Sequence, residues 1–100
     1  MQTTFSLDTI TDSSGKSTQV WIAAGGPEPR ASNGIYYILD QPRNAGVIAG
    51  ALPDGSYQAP PMPGTAGDHI LINYKDVGGK LSPTACLILG EDRPTALPCP

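Results

Sequence analysis

The chain reads as an all-β protein, a sandwich of two sheets built from about seven short antiparallel strands. Three observations predict this. Apolar residues fall in short, β-branched and often alternating runs, which is the strand signal. Glycine and proline, 12 and 11 of the 100 residues, are spread between those runs as turn punctuation rather than clustered. From Gly25 onward a helix-breaking Gly or Pro interrupts nearly every window of about ten residues, so no helical period survives.

The first strand runs from Thr3 to Ile10, with Phe5, Leu7 and Thr9 on one face. Thr11-Asp12-Ser13-Ser14-Gly15-Lys16 reverses the chain. Asp12 and the serines bond nearby amides there, and Gly15 takes a positive φ at little cost. A second strand, Ser17 to Ala23, sets Val20 and Ile22 on one face and Trp21 on the other. After the loop Gly25-Gly26-Pro27-Glu28-Pro29, a third strand from Gly34 to Leu39 is apolar at nearly every position, as a central sandwich strand is. Asp40 to Asn44 turns the chain, and a fourth strand spans Gly46 to Leu52.

Pro53-Asp54-Gly55 is a strong turn signal. Ser56 to Ala59 follows as a short strand, and Pro60, Pro61 and Pro63 mark it as an edge leaving the sheet. The clearest strand is His69 to Lys75, where Ile70, Ile72 and Tyr74 alternate with the rest. Asp76-Val77-Gly78-Gly79-Lys80 reverses it. The last strand, Thr84 to Leu89, carries Ala85, Leu87 and Leu89 on one face. Residues 1–90 thus form one domain, and the polar, proline-rich stretch 91–100 reads as a tail or linker.

Charge excludes several partners. Net charge is −3, and the six basic residues are scattered from Lys16 to Arg93 with no two adjacent. Nucleic acid and anionic membrane surfaces both need clustered Lys and Arg, so neither is expected as a partner. No apolar stretch reaches the ~18 residues that span a bilayer. Met1-Gln2-Thr3-Thr4 opens no basic-then-apolar leader. Met1 is read either as the start of a domain cut from a longer exported protein or as a cytoplasmic start.

No catalytic set assembles. His69, the sole histidine, adjoins Asp68, but neighbouring strand residues point to opposite faces, so a surface or edge histidine is expected. One His and two Cys argue against zinc, and Asp12, Asp54, Asp68 and Asp76 at turns are expected to cap backbone amides rather than bind calcium. No metal site and no cofactor is expected. A bridge between Cys86 and Cys99 would close a short loop and pin the tail, worth ~3 kcal/mol in the chain-entropy model. The alternative is a buried thiol at Cys86 and a frayed end at Cys99. Trp21, Tyr36 and Tyr57 are the candidate binding residues. Trp21 and Tyr36 either share an outer surface that stacks a sugar or meets a partner, or pack in the second half of the core.

Several motifs carry a resemblance. Gly46-Val47-Ile48-Ala49-Gly50, Asp54-Gly55-Ser56-Tyr57, Gly67-Asp68 before Ile70 and Ile72, Asp76 with Gly79, and Ser82-Pro83 stand in one order between Val20 and Leu89. This segment resembles bacterial extracellular immunoglobulin-like modules, including the carboxypeptidase-regulatory-like group. The proline cluster Pro60 to Pro63 and the hairpin Thr3 to Ala23 depart from that pattern. The resemblance implies a non-enzymatic spacer, adhesion or assembly domain of an exported protein, extracellular, at the cell surface or periplasmic, whose partners are neighbouring domains or assembly subunits. Two alternatives stand beside it: a subunit of a virion or other β-rich assembly, and a carbohydrate-binding accessory domain.

Overall fold

The computed structural model describes residues 3–90 and 95–97. Its strands are β1 (Thr3–Thr11), β2 (Ser17–Gly25), β3 (Ile35–Asp40), β4 (Ala45–Gly50), β5 (Tyr57–Gln58), β6 (Met62–Pro63), β7 (His69–Lys75), β8 (Ala85–Ile88) and β9 (Thr95–Leu97), with one 3-10 turn at Pro29–Ala31. They form two antiparallel sheets. The smaller holds β1-β2-β5, with β6 also paired to β2; the larger runs β4-β3-β7-β8-β9. The chain is a two-sheet β-sandwich.

Turn chemistry places the strands. Asp12 Oδ1 accepts bonds from Ser14 N (2.9 Å), Ser14 Oγ (2.6 Å) and Lys16 N (3.0 Å). Gly15 follows with φ +86°, which a Cβ would oppose. The same device recurs at Asp76, which accepts from Lys80 N at 2.9 Å, and at Asp54, which accepts from Ser56 N and Oγ at 2.9 and 2.6 Å. Gly55 has φ +85°, and a Cβ there would collide with the Glu28 carbonyl. Asp12, Asp54 and Asp76 thus cap local backbone, as their positions predict.

Alternation along each strand then builds the core. Phe5, Trp21, Ala23 and Met62 of the smaller sheet meet Tyr36, Ile38, Ala49, Ile70, Ile72 and Leu87 of the larger, with Leu89 just beyond it. Burying a side chain of the size of Ile or Phe contributes roughly 1.5–3 kcal/mol. The hairpin β1–β2 pairs over its full length, Thr3 with Gly25 through Thr11 with Ser17. Residues 8–19, however, are exposed on both faces. That end of the hairpin therefore overhangs the core as an arm.

The described residues form nine strands where about seven are expected. The prolines do not end pairing: Met62 and Pro63 return to β2 opposite Trp21 and Val20. Proline is tolerated there because β6 lies at an edge, where a missing donor breaks no ladder. Thr95–Leu97, placed by sequence in the tail, pairs with β8 as β9. Its three residues are too few to show a period. The fourth strand ends at Gly50 rather than Leu52, because Leu52 N donates instead to Ser56 O (2.9 Å) across the Asp54 turn.

Candidate functional site

The three aromatics singled out from sequence are all interior. Trp21 is 5% exposed and its Nε1 donates to Gly64 O at 3.0 Å. Tyr36 is fully buried and its hydroxyl donates to Gly55 O at 3.0 Å. Its ring stacks on Tyr57, centroids 3.9 Å apart, with Tyr74 tilted at 5.5 Å. Burial pushes the Tyr36 hydroxyl up to about 12 and raises that of Tyr57 as well. The structure thus brings Tyr36 and Tyr57 together as core, and of the two readings of Trp21 and Tyr36 it is the interior packing that holds, not the outer surface. Alternation shows that a strand has two faces; it does not say which face the other sheet covers. Val20 and Ile22 are as apolar as Trp21, yet Trp21 turns inward, where β1 and β6 flank it with Leu7 and Met62.

His69 is exposed on the outer face of the larger sheet. Asp68 directs its carboxylate elsewhere, to Thr65 N (3.1 Å) and Arg43 Nε (3.2 Å). Among the described residues no group of three His, Cys, Asp or Glu could hold a metal ion. Cys86 is buried on β8, opposite Leu97 of β9. Its expected partner Cys99 lies outside the described residues.

A polar cluster missed by sequence sits where β3 ends. Asp40 is fully buried. Its Oδ1 accepts from Arg43 N at 3.4 Å. Its Oδ2 has no hydrogen-bond donor among the described residues, Arg43 Nε standing 3.8 Å away. Burial, and next the neighbouring Asp68 carboxyl, push Asp40 up to about 6. Asp68 is held below the ordinary carboxylate range, first by the adjacent Asp40 carboxyl, then by the Thr65 amide and Arg43. Arg43 Nη2 also donates to Thr65 Oγ1. The cluster clamps the turn after β3 to the loop before β7.

An open hollow of 280 Å³ is lined by Arg30, Tyr74, Asp76, Lys80, Leu81, Ser82 and Pro83. Several of its polar groups already have partners. Arg30 is paired with Glu28 at 2.7 Å, Asp76 caps Lys80, and Ser82 Oγ accepts from Tyr74 N at 2.8 Å. Nothing in it converges on a ligand.

The surface that stands out is the outer face of the larger sheet. On β3, Ile35, Tyr37 and Leu39 point outward, opposite to buried Tyr36 and Ile38. Register places Ile48 beside Tyr37, Leu71 beside Leu39, and Ile88 beside His69. Ile48 is 62% and Ile35 38% exposed, while Tyr37, Leu39, Leu71 and Ile88 are half-buried. Lys75 and His69 lie at opposite ends of β7, and no other charged residue is on the face along β3, β4 and β7. Sequence carried a sign of this surface. An antiparallel strand that is apolar at nearly every position, as β3 is, has two faces to cover, and the opposite sheet covers one.

The face ends on β4, whose neighbour in the sheet, among the described residues, is β3 alone. Ala45–Gly50 contains no charged residue and no proline. Those are the features that usually blunt an exposed edge. No protein-family model matches the chain, and neither a curated protein nor a solved structure matches it significantly.

Proposed function

We propose that this chain is a non-catalytic recognition module, an immunoglobulin-like sandwich of an exported bacterial protein that serves as a spacer, adhesion or assembly domain. The observation that carries the reading is the outer face of the larger sheet, where Ile35, Tyr37, Leu39, Ile48, Leu71 and Ile88 form a mainly apolar, charge-poor surface with Asn73 as its polar member. Contiguous exposed apolar surface on a small soluble domain marks contact with another protein. Its central aromatic, Tyr37, suits such a contact because a rigid ring gives large area at low entropic cost. The immunoglobulin-like assignment is supported by the turn motifs that hold the sandwich together at Asp54-Gly55 and Asp76 to Gly79. Export goes with a bridge from Cys86 to Cys99 in an oxidising compartment.

The assembly-subunit reading is favoured by a separate observation, the unblunted β4 edge. A carbohydrate-binding role loses its platform, since Trp21, Tyr36 and Tyr57 are interior. The edge Ser56 to Ala59 reduces to a two-residue strand, Tyr57–Gln58, with Tyr57 and Ala59 buried, so it offers little for strand addition.

A photo-crosslinking amino acid tests the reading when placed at Tyr37 and, as control, at exposed Gln58 of the other sheet. In cells making the full-length gene product, protein adducts are expected at position 37 and not at 58. Adducts at neither position, or equally at both, would remove the larger sheet as the recognition surface.

A further inference from the structure

We propose that β4 is a self-pairing edge: two copies of this chain join antiparallel along Ala45–Gly50, about a twofold axis at Ile48, into one continuous sheet. The proposal rests on the reading of the larger sheet as the recognition surface and names its partner.

The hydrogen-bond phase of the ladder comes first. Ala51 N donates to Gly34 O at 2.9 Å, one step beyond the pair Ile35–Gly50. Main-chain groups of an antiparallel strand alternate between its two sides. Ala49, Val47 and Ala45 therefore bond to β3, and Gly46, Ile48 and Gly50 turn their N–H and C=O groups outward. The other side of β3 agrees. Gln41 N donates to His69 O, so the odd-numbered residues of β3 face β7.

Self-complementarity comes next. A twofold axis at Ile48 sets Ile48 against Ile48 of the other copy, Gly46 against Gly50, and Val47 against Ala49. All three outward residues then meet outward residues, which gives about six main-chain hydrogen bonds with none left over. The pairing also respects the faces. Ile48 and both glycines are outward-facing in each copy, while Val47 and Ala49 face the core side.

Charge selects a second copy as the occupant. On a twofold strand pair any charge near the axis meets its own like, which is destabilising. The chain carries a net charge of −3, yet none of its charged residues falls within Ala45–Gly50. Ile48, 62% exposed, is covered by its own counterpart. Gly46 and Gly50, exposed on either side of it, leave no side chain to block the approach. A foreign peptide strand is read by pockets for its alternate side chains, and the glycines supply no walls for such pockets.

The contact is small, so it is expected to be weak and concentration-dependent. Sedimentation velocity over a concentration series should raise the apparent mass toward twice the monomer's. Amide exchange at Gly46, Ile48 and Gly50 should slow in parallel by roughly tenfold, while β1 amides stay unchanged. Ile48→Lys and Ile48→Glu, at an exposed position that tolerates polar side chains, should each be monomeric alone and should associate when mixed. That rescue by opposite charge is specific to a self-pair at residue 48. A chain that stays monomeric with fast exchange at these amides overturns the proposal, as does a dimer that survives Ile48→Lys. Protection of these amides by a different protein on a monomeric chain overturns it too. Crosslinks to other proteins at Tyr37 would then still support the broader reading, so the two failures are distinguishable.

Discussion

Asp40 is the residue whose protonation the fold controls most directly. It is fully buried beneath Arg43, beside Asp68. In the unfolded chain both carboxyls ionise near 3.8; in the folded chain Asp40 is pushed up to about 6 and Asp68 is lowered. Between those values folding takes up a proton at Asp40. Its contribution to stability is therefore complete below 3.8 and lost as pH rises through about 6. Asp68 runs the other way, its contribution present above 3.8 and lost as pH falls through its lowered value. Stability is thus expected to peak near pH 4–5 and to fall toward neutrality by an amount on the order of 1–2 kcal/mol. Asp40→Asn keeps the shape, and its amide can donate to Asp68 without titrating. The expected outcome is a Tm at pH 7.5 above that of the wild type, with little change between pH 5 and 7.5. Calorimetry at the two pH values checks it, and a wild-type Tm that is equal at both would count against the raised Asp40 carboxyl.

At the scale of the element, the β1–β2 hairpin divides into a docked half and an overhanging half. Phe5 and Trp21 anchor the docked half in the core, whereas residues 8–19 lie exposed. Register in the overhang depends on the cross-strand ladder and on the turn, where Asp12 Oδ1 accepts three bonds and Asp12 N donates to Lys16 O at 3.0 Å. Those bonds to the ionised carboxyl hold Asp12 below the ordinary carboxylate range. Asp12→Ala is expected to speed amide exchange across the arm roughly tenfold and to leave Tm within about 2 °C. Hydrogen exchange read by residue checks both halves of that statement. A global loss of protection would show that the arm is part of the cooperative unit after all. The boundaries of this hairpin are legible in the sequence, because alternation from Thr3 and the Asp12 to Gly15 turn are both local. The overhang is not legible, since it depends on where the opposite sheet stops.

For the whole molecule, closure of the larger sheet at β9 is the feature furthest from local sequence logic. Thr95–Leu97 pairs with β8 and sets Leu97 against Cys86. Cys99 follows Leu97 by two residues in the chain. A bridge from Cys86 to Cys99 would staple the last strand to the sheet, and Cys99→Ser is expected to cost about 3 kcal/mol under oxidising conditions and almost nothing under reducing ones. Thermal unfolding with and without reductant measures the difference. Equal Tm values for variant and parent in the oxidised state would mean that no such staple acts. The same scale governs the recognition surface. The apolar residues of β3 and β4 are plain in the sequence, but only their arrangement across β4-β3-β7 makes a surface of them.

By itself the sequence determined that the protein is built of strands, roughly where each begins, and where the chain reverses. These are local matters, set by a two-residue alternation and by Asp and Gly side-chain chemistry within a few positions. The tertiary structure alone decided which face of each strand became interior, turning Trp21, Tyr36 and Tyr57 into core and leaving Tyr37 and Ile48 outside. It also decided that Asp40 would be buried against Asp68, that Met62–Pro63 and Thr95–Leu97 would find partners, and that β4 would end its sheet. Those outcomes depend on contacts between residues distant in the chain. Alternation makes two faces and says nothing of what covers them, and a strand becomes an edge only when no other strand lies beside it.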